Sequence, residues 1–289
     1  MNIGFIGAGR VGVSLGKFFR VHGLSVSGYY SQTAAHAREA ADFTASAVFD
    51  STAQLIKQSD AIFLTVPDSA IHTVYAKLPK EALSGKYLVH CSGACSAKEV
   101  FPDAEAYGAH PASVHPLFPF SDRFHCFEAL SGAFFCIEGE AEGASRFSAL
   151  LRGIGCCVQR LSDEPGVKAR YHAACVIASN FMCALMAESS ALLTSCGFSE
   201  ETARKALAPL MQANLSHLLA VGATDALTGP IERGDLTTIE KHLDALPSEM
   251  RPFYCCMSRL LAGLAQNKHP EKDYAALLKK LKEAAMATE

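Results

Sequence analysis

The sequence predicts an α/β protein in two parts: a parallel sheet with helices on both faces, followed by an all-α region. Three observations predict it. Short apolar runs alternate with amphipathic stretches from Met1 to about Arg160, the pattern of strands joined by crossover helices. A glycine-rich turn stands between the first apolar run and the first amphipathic stretch. After Asp163-Glu164-Pro165-Gly166 the strand-like runs stop and helical periodicity takes over. The expected division is therefore 1–162 and 163–289.

Each element has its own signal. Asn2-Ile3-Gly4-Phe5-Ile6 is a short apolar strand, Gly7-Ala8-Gly9-Arg10-Val11-Gly12 the turn, and 13–22 an amphipathic helix. A second strand is expected at 24–30, then helices at 34–41 and 51–58. Residues 61–66 are apolar throughout, as a strand buried on both faces must be. Pro67-Asp68 ends that strand, and Ser69 is placed to cap a helix running to Leu78. Tyr87-Leu88-Val89-His90 reads as another strand, closed by Cys91-Ser92-Gly93. Late strands are expected at 133–137 and 156–159, with a helix at 141–151 between them. The stretch 108–125 carries three prolines and two histidines between Ala109 and Phe120 and has no period. It reads as a long loop, and such loops are usually functional. Helices follow at 167–195, 199–219, 235–246, 247–266 and 274–287, with Ser199 a good start signal and Cys196-Gly197 a good stop. The first of these is apolar almost all round and needs cover on several sides, which a second copy of the chain would supply.

Composition narrows the classes. With 289 residues, 49% hydrophobic and 19% charged, the chain has material for a large core and is not disordered. A net charge of −3 implies no broad basic surface for nucleic acid. Eleven cysteines, an odd number with no C-x-x-C pair, are not a disulfide framework, a zinc knuckle or a redox dithiol. Cys91, Cys175 and Cys183 lie in apolar runs and are expected to act as small core residues. A reducing cytoplasm fits this usage, and the first strand leaves no room for a cleavable leader. The apolar run 173–187 is broken by Ser179-Asn180 and is expected to be too short to span a bilayer.

The glycine turn follows a strand and opens a helix inside a βαβ unit, the context in which such a turn binds a dinucleotide. Gly7 permits the turn, Gly9 leaves room for a pyrophosphate, and Gly12 lets the helix lie close to the strand. Gly7, Ala8, Gly9, Arg10, Val11 and Gly12 are the candidate phosphate-binding residues. In an NAD enzyme the second strand ends on an acid that holds the ribose hydroxyls. Here Tyr30-Ser31-Gln32-Thr33 carries no carboxylate. Ser31, Gln32 and Thr33 suit a 2′-phosphate and point to NADP, with Arg10 or Arg38 as the source of positive charge. Val66, Pro67, Asp68 and Ser92 lie just past strand ends, where ligands sit in open parallel sheets.

Lys168 and His172 are four residues apart and share a helix face. Ser179 falls on that face two turns beyond His172, with Asn180 beside it. Polar groups on an apolar helix need partners or a wet cavity, so the reading is a substrate cleft with Lys168 and His172 as the catalytic pair. Thr228-Gly229-Pro230-Ile231-Glu232-Arg233-Gly234-Asp235 is a loop in which Arg233 can clamp a substrate carboxylate and Asp235 caps the next helix.

These residues together resemble one family. The motifs are Gly7–Gly12, Val66-Pro67-Asp68, His90-Cys91-Ser92-Gly93, His115-Pro116-Leu117, Lys168-x-x-Tyr171-His172-Ala173-Ala174 with Ser179-Asn180, and Thr228-Gly229-Pro230 with Arg233-Gly234-Asp235. Over nearly its whole length the chain is similar to the bacterial family joining a Rossmann-like domain to a helical C-terminal domain of unknown function (2520). That family looks like part of the 6-phosphogluconate dehydrogenase superfamily, whose members include pyrroline-5-carboxylate reductase, ketopantoate reductase and deazaflavin-linked NADP reductases. The resemblance implies an NADPH-dependent reductase with a helical dimerisation domain. It matches Lys168 to the superfamily's catalytic lysine. The asparagine often four residues later is His172 here, a departure. It also places His115, with Ser92, Ser179, Asn180, Thr228 and Arg233, on the substrate side.

The expected activity is NADPH-dependent reduction of a small carbonyl compound bearing a carboxylate, in a cytoplasmic homodimer with no metal, nucleic acid or membrane partner. Imine reduction and deazaflavin-linked reduction are the enzymatic alternatives. A non-catalytic NADP sensor is the alternative of another class.

Overall fold

The computed structural model describes residues 1–286 of the chain. It divides into two compact units, Met1–Cys183 and Ala184–Glu289. The first carries the sheet. Its elements run β1 (Asn2–Ile6), α1 (Arg10–Val21), β2 (Ser25–Tyr30), α2 (Ala34–Thr44), β3 (Ala47–Val48), α3 (Thr52–Gln58), β4 (Ala61–Leu64) and α4 (Asp68–Ala76). They continue with β5 (Tyr87–His90), α5 (Ala97–Val100), β6 (His110–Pro116), β7 (Phe134–Gly139), α6 (Ala141–Gly153) and β8 (Cys157–Arg160), and α7 (Val167–Ser195) begins in this unit and ends in the second. The strand order is β3-β2-β1-β4-β5-β6-β7-β8. Every neighbouring pair is parallel except β6 and β7.

Both faces of the sheet are covered, which explains the unbroken apolar character of β4. Phe63 points with Ile3, Phe5, Val89 and Phe135 into a core closed by α1, α2 and α6. Ile62 and Leu64 point the other way, with Ile6 and Leu88, towards Leu55 and Ile56 of α3 and Ile71 and Tyr75 of α4. Period-two alternation decides which side each residue faces.

The structure corrects several expectations. The first half of the stretch read as a loop is β6, a central strand between β5 and β7. Its prolines hid it. Pro111 gives the ladder no donor, yet its carbonyl accepts from Glu140 N–H at 3.0 Å, and its neighbour His110 N–H supplies the bond to Lys86 at 2.8 Å. Between them Ala112, Ser113 and Val114 are buried. Helix α4 begins at Asp68 with Pro67 as N-cap, so Ser69 is inside the helix and caps nothing. The short β3 and α5 also carried no sequence signal strong enough to place them. Cys183 is exposed, and Cys91 and Cys175 are only partly buried, so these three are not fully core residues. α7, which contains the run 173–187, has 29 residues and is long and apolar enough to cross a membrane by length and composition. The continuous helix places Ser179-Asn180 inside it without a break.

In the second unit α8 (Glu200–Val221), α9 (Ala223–Ala226), α10 (Pro230–Arg233), α11 (Leu236–Ala245), α12 (Arg251–Lys268) and α13 (Ala275–Met286) follow. Ser199 caps α8 through Thr202 N–H, and Asp235 caps α11 through Thr238 N–H. Ile239, Leu243, Cys255, Ala262, Leu277 and Leu281 form its core. The last residue of the helix expected at 274–287, Ala287, lies outside the described residues.

Candidate functional site

The carboxyl ends of β1 and β4 flank the point where strand order reverses, the place where open α/β sheets bind ligands. A cavity of about 410 Å³ lies there, lined by Gly7, Ala8 and Gly9 on one side and by Thr73 and Val74 of α4 and Lys77 just after it on another. The three glycines do different work. Gly7 has φ +107°, and a Cβ on it would stand 2.6 Å from the Thr65 carbonyl oxygen. A Cβ on Gly12 would lie 2.4 Å from Thr65 Oγ1 and 2.6 Å from Gly7 O, so this glycine seats α1 against the strands. A Cβ on Gly9 would meet nothing nearer than Thr65 O at 3.9 Å. What the missing side chain leaves at Gly9 is open cavity. Gly9 is also the N-cap of α1 and offers no side-chain cap, so the first N–H groups of the helix are free for an anion.

Ser31, Gln32 and Thr33, after β2, line the same cavity, as do Val66 and Pro67 after β4. Among the described residues no carboxylate lines it. Thr33 is the N-cap of α2, yet its hydroxyl makes no capping bond. Arg10, Val11 and Gly12 are not among the lining residues, and neither is Arg38; the basic side chains on this cavity are His36 and Lys77. Neither stands in the glycine turn or at the end of a strand, so sequence alone does not mark them.

A second cluster forms at the carboxyl ends of β5 and β6. Register puts Leu64, His90, Ser113 and Glu138 opposite one another across four strands, with side chains on one face. Lys168, in the first turn of α7, reaches down to this row. Its ammonium donates to Ser113 Oγ at 2.5 Å and stands 3.7 Å from Glu138 Oε1, with side-chain exposures of 8% and 6% for the lysine and glutamate. Glu138 also accepts the Ala97 N–H at 2.8 Å. Burial pushes Lys168 below the ordinary lysine range, and the Glu138 carboxylate opposes that fall. Burial pushes Glu138 up, and Lys168 opposes it. Ser113 Oγ donates in turn to Ser92 O at 3.4 Å.

Ser92 is fully committed. Its hydroxyl donates to Asp68 Oδ2 at 2.7 Å and accepts from the N–H groups of Ala94 and Cys95 at 3.2 Å each. It holds the turn after β5 and orients Asp68. His90 accepts from Ser92 N–H at 3.2 Å through Nδ1, and burial followed by the Lys168 charge drives its pKa down to about 3. It is a neutral, buried imidazole.

His115, two residues after Ser113 on β6, shares a hydrogen bond of 2.6 Å with Tyr171 OH. Burial, Lys168 and His172 together lower its pKa to about 4. The rings of His115 and His172 meet edge to face, 6.0 Å between centroids. Gly93 is the seat for both. A Cβ there would lie 2.4 Å from His172 Nδ1 and 2.8 Å from His115 Nε2. The structure thus brings Lys168, His172, His115, Ser92 and Asp68 to one rim. A cavity of about 600 Å³ opens beside Lys168 and Glu138, and Glu99, Glu105, Glu140, Asp163 and Glu164 add five further carboxylates to its walls. Glu138 was not foreseen. It sits at the end of an apolar run with no motif around it, and only the β6–β7 register reveals it.

Ser179 and Asn180 are exposed on α7, two turns or more beyond His172. Thr228 and Arg233 belong to the second unit, Thr228 just ahead of α10 and Arg233 at its last residue. Among the described residues no group of three metal-ligating side chains occurs.

The sheet order, the glycine turn at its reversal point and the helical continuation define a Rossmann-like protein. Residues 1–116 match the Rossmann-like domain, and residues 133–261 match the domain of unknown function DUF2520. The chain is one that joins these two domains, as the sequence motifs imply. A solved protein from Thermotoga maritima is 26% identical, with a TM-score of 0.66 over 99% of this chain and 98% of that one. A candidate NADP oxidoreductase from Bacteroides fragilis is 23% identical, with a TM-score of 0.64 over 93% and 98%. The reductive aminase from Aspergillus terreus, solved with NADPH and ethyl-5-oxohexanoate, is 18% identical, with a TM-score of 0.63 over 99% and 94%. No curated protein matches the chain.

Proposed function

We propose that the protein is an NADPH-dependent oxidoreductase that reduces a small carbonyl compound bearing a carboxylate. One observation carries the reading: a glycine cradle opens onto a cavity whose far end holds Ser31, Gln32 and Thr33 and no acid. Solved neighbours named as NADP enzymes support it. The open space above Gly9 is the test of fit, and a pyrophosphate passes it. The turn and the free N–H groups of α1 would hold the pyrophosphate, Ser31 and Gln32 the 2′-phosphate, and Val66-Pro67-Asp68 the nicotinamide side. When bound, NADPH supplies the hydride.

The protein's own task is the proton. Reduction of a carbonyl leaves negative charge on oxygen, which needs a cation and a proton. Lys168 is our choice of acid, its ammonium already supported by Glu138 and Ser113. His172, one turn on and packed on Gly93, orients the same oxygen. Ser179, Asn180, Thr228 and Arg233 are proposed substrate contacts, within a division of labour that gives 1–162 to the cofactor and 163–289 to substrate and dimer. A cytoplasmic setting completes the reading.

Imine reduction is the second reading. The carboxylates beside Lys168 suit a cationic C=N group better than an anionic keto acid, and neighbours named as imine reductases lend support. Titration of the purified protein with NADPH and NADH tests the first step. NADPH is expected to bind tighter, and Ser31→Asp to reverse the order; equal affinities in the unaltered protein would remove the basis of the proposal. A screen of NADPH oxidation over 2-keto acids and cyclic imines then separates the two substrate classes.

A further inference from the structure

We propose that His36 supplies the positive charge that selects NADPH over NADH, which makes the cofactor preference of this protein depend on pH. The inference rests on the dinucleotide reading above and deepens it. His36 is the third residue of α2 and lines the cavity together with Ser31, Gln32 and Thr33. None of these four side chains has a hydrogen-bond or ion-pair partner among the described residues. Hydroxyl, amide and imidazole groups are thus gathered at one end of a cavity with no acid in its walls and nothing of the protein to bind. A phosphate monoester matches that set: it carries nearly two negative charges at neutral pH and three acceptor oxygens. The unpaired N–H groups opening α2 add to the same field.

The other charged groups around His36 do not take its place. On its own helix, Arg38 is off the cavity, and Glu39 is paired with Arg123 Nη1 at 2.7 Å. Arg123 also donates through Nη2 to the His36 carbonyl, at 3.4 Å. Arg10 on α1, Asp50 ahead of α3 and Lys57 in α3 do not line the cavity. Tyr30 lines it too, and Lys77, the residue after α4, lines it from another element. Lysine keeps its charge across the range in which imidazoles gain and lose theirs. A preference set by Lys77 would therefore not weaken between pH 6.5 and 8.5, where the phosphate itself only gains charge, and one set by His36 would.

The test is direct binding of NADPH and NADH, by nicotinamide fluorescence or calorimetry, at pH 6.5, 7.5 and 8.5. Three proteins are compared: the unaltered chain, His36→Gln and His36→Arg. The unaltered chain should lose NADPH affinity as pH rises, by about tenfold for one charge-assisted contact, with NADH nearly unchanged. His36→Gln should weaken NADPH about tenfold at pH 6.5 and flatten the profile, any remaining slope being the phosphate's own titration. His36→Arg should restore the preference and keep it at every pH. A preference for NADPH that survives His36→Gln with the same pH slope overturns the inference and leaves the dinucleotide reading standing. Failure of the unaltered chain to bind either dinucleotide overturns both.

Discussion

At the scale of single residues, three glycines separate fold from function. A Cβ on Gly12 would overlap Thr65 Oγ1 and Gly7 O, at 2.4 and 2.6 Å. Gly12→Ala should therefore lower the melting temperature, and lost binding would follow from the damaged fold. A Cβ on Gly9 meets only Thr65 O at 3.9 Å. Gly9→Val should leave the circular dichroism spectrum and melting temperature close to the original while abolishing NADPH binding, since the side chain fills the pyrophosphate's place. A Gly9→Val protein that binds NADPH normally would exclude this cradle as the phosphate site. Gly93 is a different case. Its Cβ would collide with His172 Nδ1 and His115 Nε2, neither of which lines the glycine-turn cavity. Gly93→Ala is expected to keep NADPH affinity and lose turnover, a split that kcat and cofactor Kd measured on one preparation would reveal.

At the scale of elements, β6, β7 and the first turn of α7 act as one device. Ser113 and Glu138 face each other across the antiparallel pair, and Lys168 closes on both. Burial lowers the lysine and the Glu138 carboxylate raises it. Removing that carboxylate must therefore lower Lys168 further. If Lys168 donates the proton, activity falls on the alkaline side at a pH below the ordinary lysine range, and Glu138→Gln moves that limb to lower pH still. An alkaline limb that stays in place would take the proton from another group. Breaking a buried pair is costly, about 3–5 kcal/mol, so the melting temperature of Glu138→Gln should fall as well. Lys168→Ala should cut turnover by about 10²–10⁴ with little change in NADPH affinity. These elements also mark how far the sequence could be read. β1, β4, β5 and α1 were legible because their apolar pattern and glycine spacing are local properties. Lys168 and His172 were legible through helical spacing. β6 was not, because Pro111 and Pro116 argue against a central strand and only the neighbouring bonds show that His110 and Pro111 are accommodated. Glu138 was beyond reach for the same reason, since its partner in the register lies on the strand that the prolines concealed. Asp68 was placed at a strand end, but Ser92's engagement with it is a contact between turns that no spacing encodes.

At the scale of the whole molecule, the chain leaves its most apolar helices bare. Lys168 is the one fully buried residue of α7, and Ile177 and Phe181 are 59% and 53% exposed. On α8, Leu210 and Leu219 are 65% and 78% exposed. Patches of this kind mark contact with another protein or with lipid. Lipid is a poor match for α7. The first turn is anchored to the sheet through Lys168, and Glu188 stands within the remaining length, where a charge at bilayer depth is expensive. A second copy of the chain suits it better, because like helices can bury like faces about a twofold axis. We therefore expect a dimer in sedimentation or light scattering at micromolar concentration without detergent. Phe181→Glu and Ile177→Glu should shift it to monomer while preserving the helical circular dichroism signal, since neither side chain belongs to the buried core of one chain. A monodisperse monomer of the unaltered protein would contradict the proposal. Stable protein only in detergent, together with recovery from vesicles, would move α7 to the lipid side instead. If the dimer forms, NADPH binding in the Phe181→Glu monomer becomes informative: the glycine cradle lies wholly in the first unit, so affinity should survive dissociation.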